Sequence, residues 1–218
     1  MQLIVGLGNP GPQYARSRHN AGFMALDRLA ETLGLGAPRR FKSSLAVSSR
    51  LDGRPLVLAW PQTYMNLSGE AVLELASFYK IDGRDILVMH DEMDLEPGRL
   101  KMSFGGGTAG HKGLSSILAM LRQDFCRLKI GIGRPPKEIF THGNIDYVLG
   151  EFLEMERPAL EASLEAAAGA ARDWVLDGLV KAQLKVNRRP KKPKKGPEEP
   201  TEEAAGAKEI AENAKSHE

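Results

Sequence analysis

The 218 residues include a single cysteine, Cys126, so no disulfide can form within the chain. A lone thiol fits a reducing compartment, and its neighbours Phe125 and Leu128 mark it as a buried structural group, not a nucleophile. No apolar run approaches the roughly twenty residues that a membrane span requires. No basic, apolar, small-residue leader precedes Gln2-Leu-Ile-Val-Gly6, which already reads as a core strand. A soluble, untargeted, cytoplasmic protein is therefore expected. Net charge is also scarce, at +2.

Several signatures of common enzymes are missing too. There is no G-x-S-x-G elbow, and the serines nearest to glycine, Ser68 and Ser115, fall where helices begin. Gly105-Gly-Gly-Thr-Ala-Gly-His111-Lys112-Gly113 falls short of a P-loop, because His111 follows Gly110 and no Ser or Thr follows Lys112. Gly6-Leu-Gly8-Asn-Pro-Gly11 fits the dinucleotide fingerprint, but Pro10, Pro12 and Arg16-Ser-Arg18 postpone the next helix to about Asn20. The following extended segment, Leu45 to Leu51, turns at Asp52-Gly53 into Pro55 to Trp60 as a hairpin. Nicotinamide binding is set aside on that context. No internal repeat is present.

With 42% hydrophobic and 27% charged residues, the chain can bury one sizeable core. Extended apolar runs occur at Leu3 to Leu7, Leu45 to Leu51, Leu56 to Trp60, Ile86 to Met89, Leu100 to Phe104 and Leu128 to Ile132. Helical periodicity covers Gly22 to Leu33, Gly69 to Tyr79, Gly113 to Leu121 and, longest, Pro158 to Lys185. Helices interleaved with a hairpin predict an α/β protein: a three-layer α/β/α single domain with a mixed, twisted sheet, spanning residues 1–187. Beyond it, Arg188 to Lys195 carries +6 and residues 196–218 carry −5, leaving +1 for residues 1–187. This basic-then-acidic tail has almost no large apolar residues and is expected to be disordered, either as a solvated appendage or as a non-specific RNA tether.

The polar residues that interrupt the apolar pattern are where chemistry concentrates. A strand enters the loop Asn9-Pro-Gly-Pro-Gln-Tyr14-Ala-Arg-Ser-Arg18-His19-Asn20, which holds more functional groups than a turn needs. A second strand, Ile86-Leu-Val-Met-His90-Asp91-Glu92, ends in acids, where open α/β sheets gather ligands. Three readings stand for those acids. They hold a divalent cation, although no second histidine lies at ligand spacing on the same element. They make ordinary salt bridges and turn caps. Or Asp91 accepts a hydrogen bond from His19, leaving the other ring nitrogen to take a proton from water. Asn66, in Pro61-Gln-Thr-Tyr64-Met-Asn66-Leu-Ser-Gly69, is either a helix cap or an amide donor to an oxyanion or water. The glycine run before His111 offers N–H groups to an anion, or is a flexible surface turn.

Together Gly6-Leu-Gly-Asn-Pro-Gly11 with Arg18-His-Asn-Ala-Gly22, Pro61 to Gly69, His90-Asp-Glu-Met-Asp94 and Gly105 to Leu114 resemble bacterial peptidyl-tRNA hydrolase. The four motifs stand in the family's order and the resemblance covers about residues 1–185. It implies a monomeric, cofactor-free and metal-free hydrolase that cleaves the ester between peptide and tRNA in peptidyl-tRNA that has left the ribosome. On that resemblance His19 is the base, Asp91 its orienter, and Asn66 a substrate- and water-positioning amide. Asn9 reads the blocked amine, and Tyr14 and Tyr64 line the pocket for the tRNA end. Arg99, Lys101, Lys129 and Arg134 are candidate phosphate contacts, with a solvated surface face as the alternative. The chain departs from the family's pattern at Lys112, where most relatives carry asparagine, and at Ser103, which replaces a lysine. Lys112 is expected to keep tRNA affinity while shifting how the carbonyl is held. The alternative within the same fold is a non-catalytic RNA-binding factor.

Overall fold

In the computed structural model, residues 1–135 and 143–188 are described; apart from Arg188, the expected tail lies outside them. Residues 1–188 form one compact unit. Seven strands assemble into one sheet: β1 (Gln2–Gly6), β2 (Arg39–Phe41), β3 (Ser44–Leu51), β4 (Arg54–Pro61), β5 (Ile86–Glu92), β6 (Leu100–Phe104) and β7 (Cys126–Gly131). Their order is β2-β3-β4-β1-β5-β7-β6. The central four, β4-β1-β5-β7, are parallel, while β2, β3 and β6 run antiparallel to their neighbours. The sheet is mixed, as expected.

Strand alternation divides the core between two faces. Ile4, Leu58, Leu87, Met89 and Leu128 pack on one side with α1 (Ala21–Thr32), α5 (Arg157–Asp177) and α6 (Leu179–Val186). Leu3, Val5, Val57 and Val88 pack on the other with α2 (Ser68–Tyr79) and α3 (Lys112–Leu121). Because β1 and β5 are covered on both faces, their apolar runs are nearly continuous. Cys126 lies in the core as anticipated, and burial pushes its thiol up to about 11.

Two features differ from the sequence reading. The helix expected from Pro158 to Lys185 is two helices, because Gly178 takes φ 80° and ends α5. Two elements, β2 and α4 (Asn144–Leu149), are too short to show a period. Strand β5 runs through His90, Asp91 and Glu92 as expected, and all seven of its residues are buried. Those acids are therefore not surface groups. At the β6 edge, the Asn187 side chain accepts from Met102 N–H at 2.8 Å and donates to its carbonyl at 2.9 Å, which blunts an otherwise open strand.

Candidate active site

The site forms where the loop after β1 folds back over the end of β5. Leu7 N–H donates to the Met89 carbonyl at 2.9 Å, and Phe23 N–H to the Leu7 carbonyl at 3.1 Å. A Cβ on Gly22 would overlap the Met89 carbonyl and the Leu7 backbone, so only glycine lets α1 begin this close to both strands. The 3-10 turn Arg18–Asn20 just ahead of α1 thereby brings His19 over Asp91.

Arg18 fixes that turn from behind. It is buried, its guanidinium bonds the Glu151 carbonyl and the Glu156 carboxylate at 2.6 Å each, and it lies 4.3 Å over the Tyr147 ring. Planar charge, fork geometry and stacking suit arginine here better than lysine. Sequence reading placed Arg18 in a motif without giving it this structural part.

His19 Nδ1 and His111 Nε2 both meet the same atom, Asp91 Oδ1, at 2.9 and 3.0 Å. His111 comes from the loop before α3 and was not recognised as a site residue, because only the tertiary structure brings it to β5. Its Nδ1 accepts from the Gly113 and Leu114 N–H groups at 3.2 and 3.3 Å, capping α3. That nitrogen therefore bears a lone pair, and Nε2 carries the proton that Asp91 receives. His19 likewise donates from Nδ1, which leaves its Nε2 lone pair toward the cleft. Burial alone would push the Asp91 carboxyl up, but electrostatic attraction to His111 and His19 and the hydrogen bonds they donate outweigh it and hold the group well below the usual carboxylate range.

The three side chains have the composition of a cation site. Their hydrogen bonding argues against one. A cation on His111 Nε2 would require the proton to move to Nδ1, against two N–H donors. Neighbouring His90 is buried; its Nδ1 donates to the Asp91 carbonyl at 2.7 Å, while its Nε2 has no partner. Burial, reinforced by His111, lowers its pKa to about 3, so it stays neutral.

Asn9 is held by two sets of bonds. Its N–H donates to Asn20 Oδ1 at 2.8 Å, and Asn20 Nδ2 returns a bond to the Asn9 carbonyl at 3.0 Å. Its side-chain Oδ1 accepts from Met65 N–H at 2.8 Å, so the amide NH₂ is what it offers to the cleft. Asn66 follows Met65 in a 3-10 turn and makes no capping bond, which removes the cap as its explanation. The cleft, about 430 Å³, is lined by Asn9, Tyr14, His19, Tyr64, Asn66, Asp91, His111 and Lys112, with Ile145, Val148 and Leu149 of α4 as an apolar wall. Tyr64 is 60% exposed, so its ring is available at the rim.

The remaining cations lie elsewhere. Lys101 and Lys129 face each other across β6 and β7, outside the cleft lining. Lys129 Nζ is 2.7 Å from Glu92 Oε2 and both groups are largely buried, whereas Lys101 is exposed. Arg134 pairs with Asp94 at 2.5 Å.

The family model for peptidyl-tRNA hydrolase matches residues 3–195. This chain belongs to that family. Among its relatives, the peptidyl-tRNA hydrolase of Mycobacterium sp. (strain KMS) is 47% identical over 185 residues, covering 83% of this chain and 94% of the relative. That of Desulfitobacterium hafniense is 47% identical over 191 residues, covering 86% and 100%. The crystal structure of peptidyl-tRNA hydrolase from Acinetobacter baumannii superposes with a TM-score of 0.78 at 36% identity, covering 86% of this chain and 94% of that one. A peptidyl-tRNA hydrolase complex with N-propanol gives 0.79 at 35% identity, covering 88% and 97%. Residues from four separated stretches of sequence, with Asn9 and His19 from the first and Asn66, Asp91 and His111 from the others, line a single cleft. Among the described residues, no helix is long and apolar enough to cross a membrane.

Proposed function

We propose that this enzyme hydrolyses the ester joining a peptide to the 3′ end of tRNA, using a water activated by His19. The observation that carries the reading is the His19 Nδ1 to Asp91 Oδ1 contact of 2.9 Å in a cleft lined by Asn9 and Asn66. With Nδ1–H committed to Asp91, His19 Nε2 takes a proton from water as its oxygen attacks the ester carbonyl carbon. Asp91 stabilises the imidazolium that forms. The Asn66 amide donates to the oxyanion, and the tetrahedral intermediate collapses by breaking the bond from the acyl carbon to the ribose oxygen. His19 Nε2–H then protonates that oxygen, giving a free peptide carboxyl and an intact tRNA hydroxyl. The step balances with water alone. An ester of tRNA is activated relative to an amide, so a base worth roughly 10²–10⁴ with orientation and amide donors is sufficient.

Asn9 supplies discrimination. Its inward NH₂ donates to the carbonyl that an N-blocked amino acid carries, and disfavours the ammonium of an unblocked one. Tyr14 and Tyr64 stack on the tRNA end, while Lys112, beside the cleft at the start of α3, contacts phosphate. Lys101 is an exposed cation available for the RNA path, and Lys129 joins it only by leaving Glu92. We further propose a cytoplasmic monomer that clears peptidyl-tRNA away from the ribosome. The test compares release of labelled amino acid from N-acetylated and unblocked aminoacyl-tRNA. The parent should strongly prefer the acetylated form, and Asn9→Ala should reduce that preference at least about tenfold, the scale of a buried hydrogen bond to substrate. An unchanged preference would remove Asn9 from recognition.

A further inference from the structure

Resting on the reading of His19 as base, we propose that His111 is a positioning residue that sets the strength of the His19–Asp91 pair by sharing its carboxylate oxygen. Both imidazoles donate to Asp91 Oδ1, at 2.9 Å from His19 and 3.0 Å from His111, with ring centroids 4.9 Å apart. An oxygen that accepts two N–H donors gives less of its charge to either. His19 is held in the tautomer that leaves Nε2 for water, yet a proton gained there is not bound too firmly to be passed to the leaving ribose oxygen.

Helix α3 keeps His111 in this role. Two backbone N–H groups at its start occupy Nδ1, so the proton stays on Nε2 and points to Asp91. The ring also meets His90 edge-on at 5.0 Å, and His90 Nδ1 donates to the Asp91 carbonyl. Asp91 is thus fixed through its side chain by His19 and His111 and through its backbone by His90. The other charged groups near the cluster are the Lys129–Glu92 pair and, at the cleft, Lys112.

The two jobs of His111 separate by mutation. Asparagine is among the strongest N-caps, so His111→Asn keeps a side-chain acceptor for α3 while its shorter side chain gives up the bond to Asp91. His111→Ala loses both. With Asp91 Oδ1 now accepting from His19 alone, that ring retains its proton to higher pH. In both variants the acidic limb of the kcat/KM profile should move upward by about one pH unit, the order expected for one hydrogen bond to a charged acceptor, with KM nearly unchanged. Thermal stability should fall in His111→Ala and stay near the parent in His111→Asn. A limb that stays at the parent position in His111→Asn, whatever its rate, would overturn the proposal, because a purely structural cap does not move it. His19→Ala measured in parallel keeps the two readings apart. If it retains turnover the base assignment itself fails, and if it is inactive while the limb does not move, only the role of His111 fails.

Discussion

Asp91→Asn isolates the charge of the site from its shape. In the parent, Oδ1 alone accepts from His19 and His111, and an asparagine carbonyl in the same place accepts from both. The flipped amide would set NH₂ against two N–H groups, so the ring positions and the His19 tautomer should survive. What disappears is the negative charge facing the imidazolium that develops as water is deprotonated. Two unit charges about 4 Å apart at an effective dielectric of ~20 interact by ~4 kcal/mol. The amide dipole recovers part of this, leaving a loss of roughly 10²–10³ in rate. The assay is steady-state release of labelled N-acetyl amino acid from tRNA near neutral pH. kcat should fall by that factor with KM nearly constant, since Asp91 serves His19 and not the tRNA. A fall of less than about fivefold, or one confined to KM, would refute the claim that this carboxylate stabilises the charged base.

Two further perturbations follow. His90 has its pKa lowered from 6.5 to about 3, so below pH 6.5 the unfolded chain takes up a proton that the native protein refuses. Stability should therefore decline on acidification by up to ~1.4 kcal/mol per pH unit, or ~2 kcal/mol between pH 6.5 and 5. The lowered Asp91 acts in a separate window, since its contribution is complete above its unfolded value of about 3.9 and is lost only below it. Denaturant titrations of the parent and His90→Asn over this range should show the slope reduced in the variant; parallel slopes would contradict a neutral buried His90. Lys112→Ala should raise KM more than it lowers kcat, with a defect that shrinks as salt rises. A fall in kcat at constant KM would place Lys112 at the reacting carbonyl.

Local sequence revealed those parts of the fold that local physics decides. The Asp52-Gly53 turn, the apolar runs of β1 and β5, and the starts of α1 and α2 were all legible. Elements too short to show a period, β2 and α4, were not, and the apolar pattern ran across Gly178 without marking the break. At the site, Asn9, His19 and Asp91 announced themselves by interrupting apolar runs with polar groups. His111 did not, because its significance depends on β5 and the start of α3 meeting across the sheet. Lys129 looked like a free cation for the same reason: its partner Glu92 is 37 residues away in sequence. An arginine such as Arg18 reads as surface charge until its aromatic and acidic partners close around it.

The central claim is that His19 Nε2 takes the proton from the attacking water. Its most direct measurement is single-turnover release of labelled N-acetyl amino acid from tRNA by His19→Ala under saturating enzyme, with tRNA affinity measured separately on the same preparation. The account predicts a loss of roughly 10²–10⁴ or more in the chemical step with affinity within about twofold of the parent. Turnover near the parent rate in a folded, tRNA-binding His19→Ala protein would contradict it.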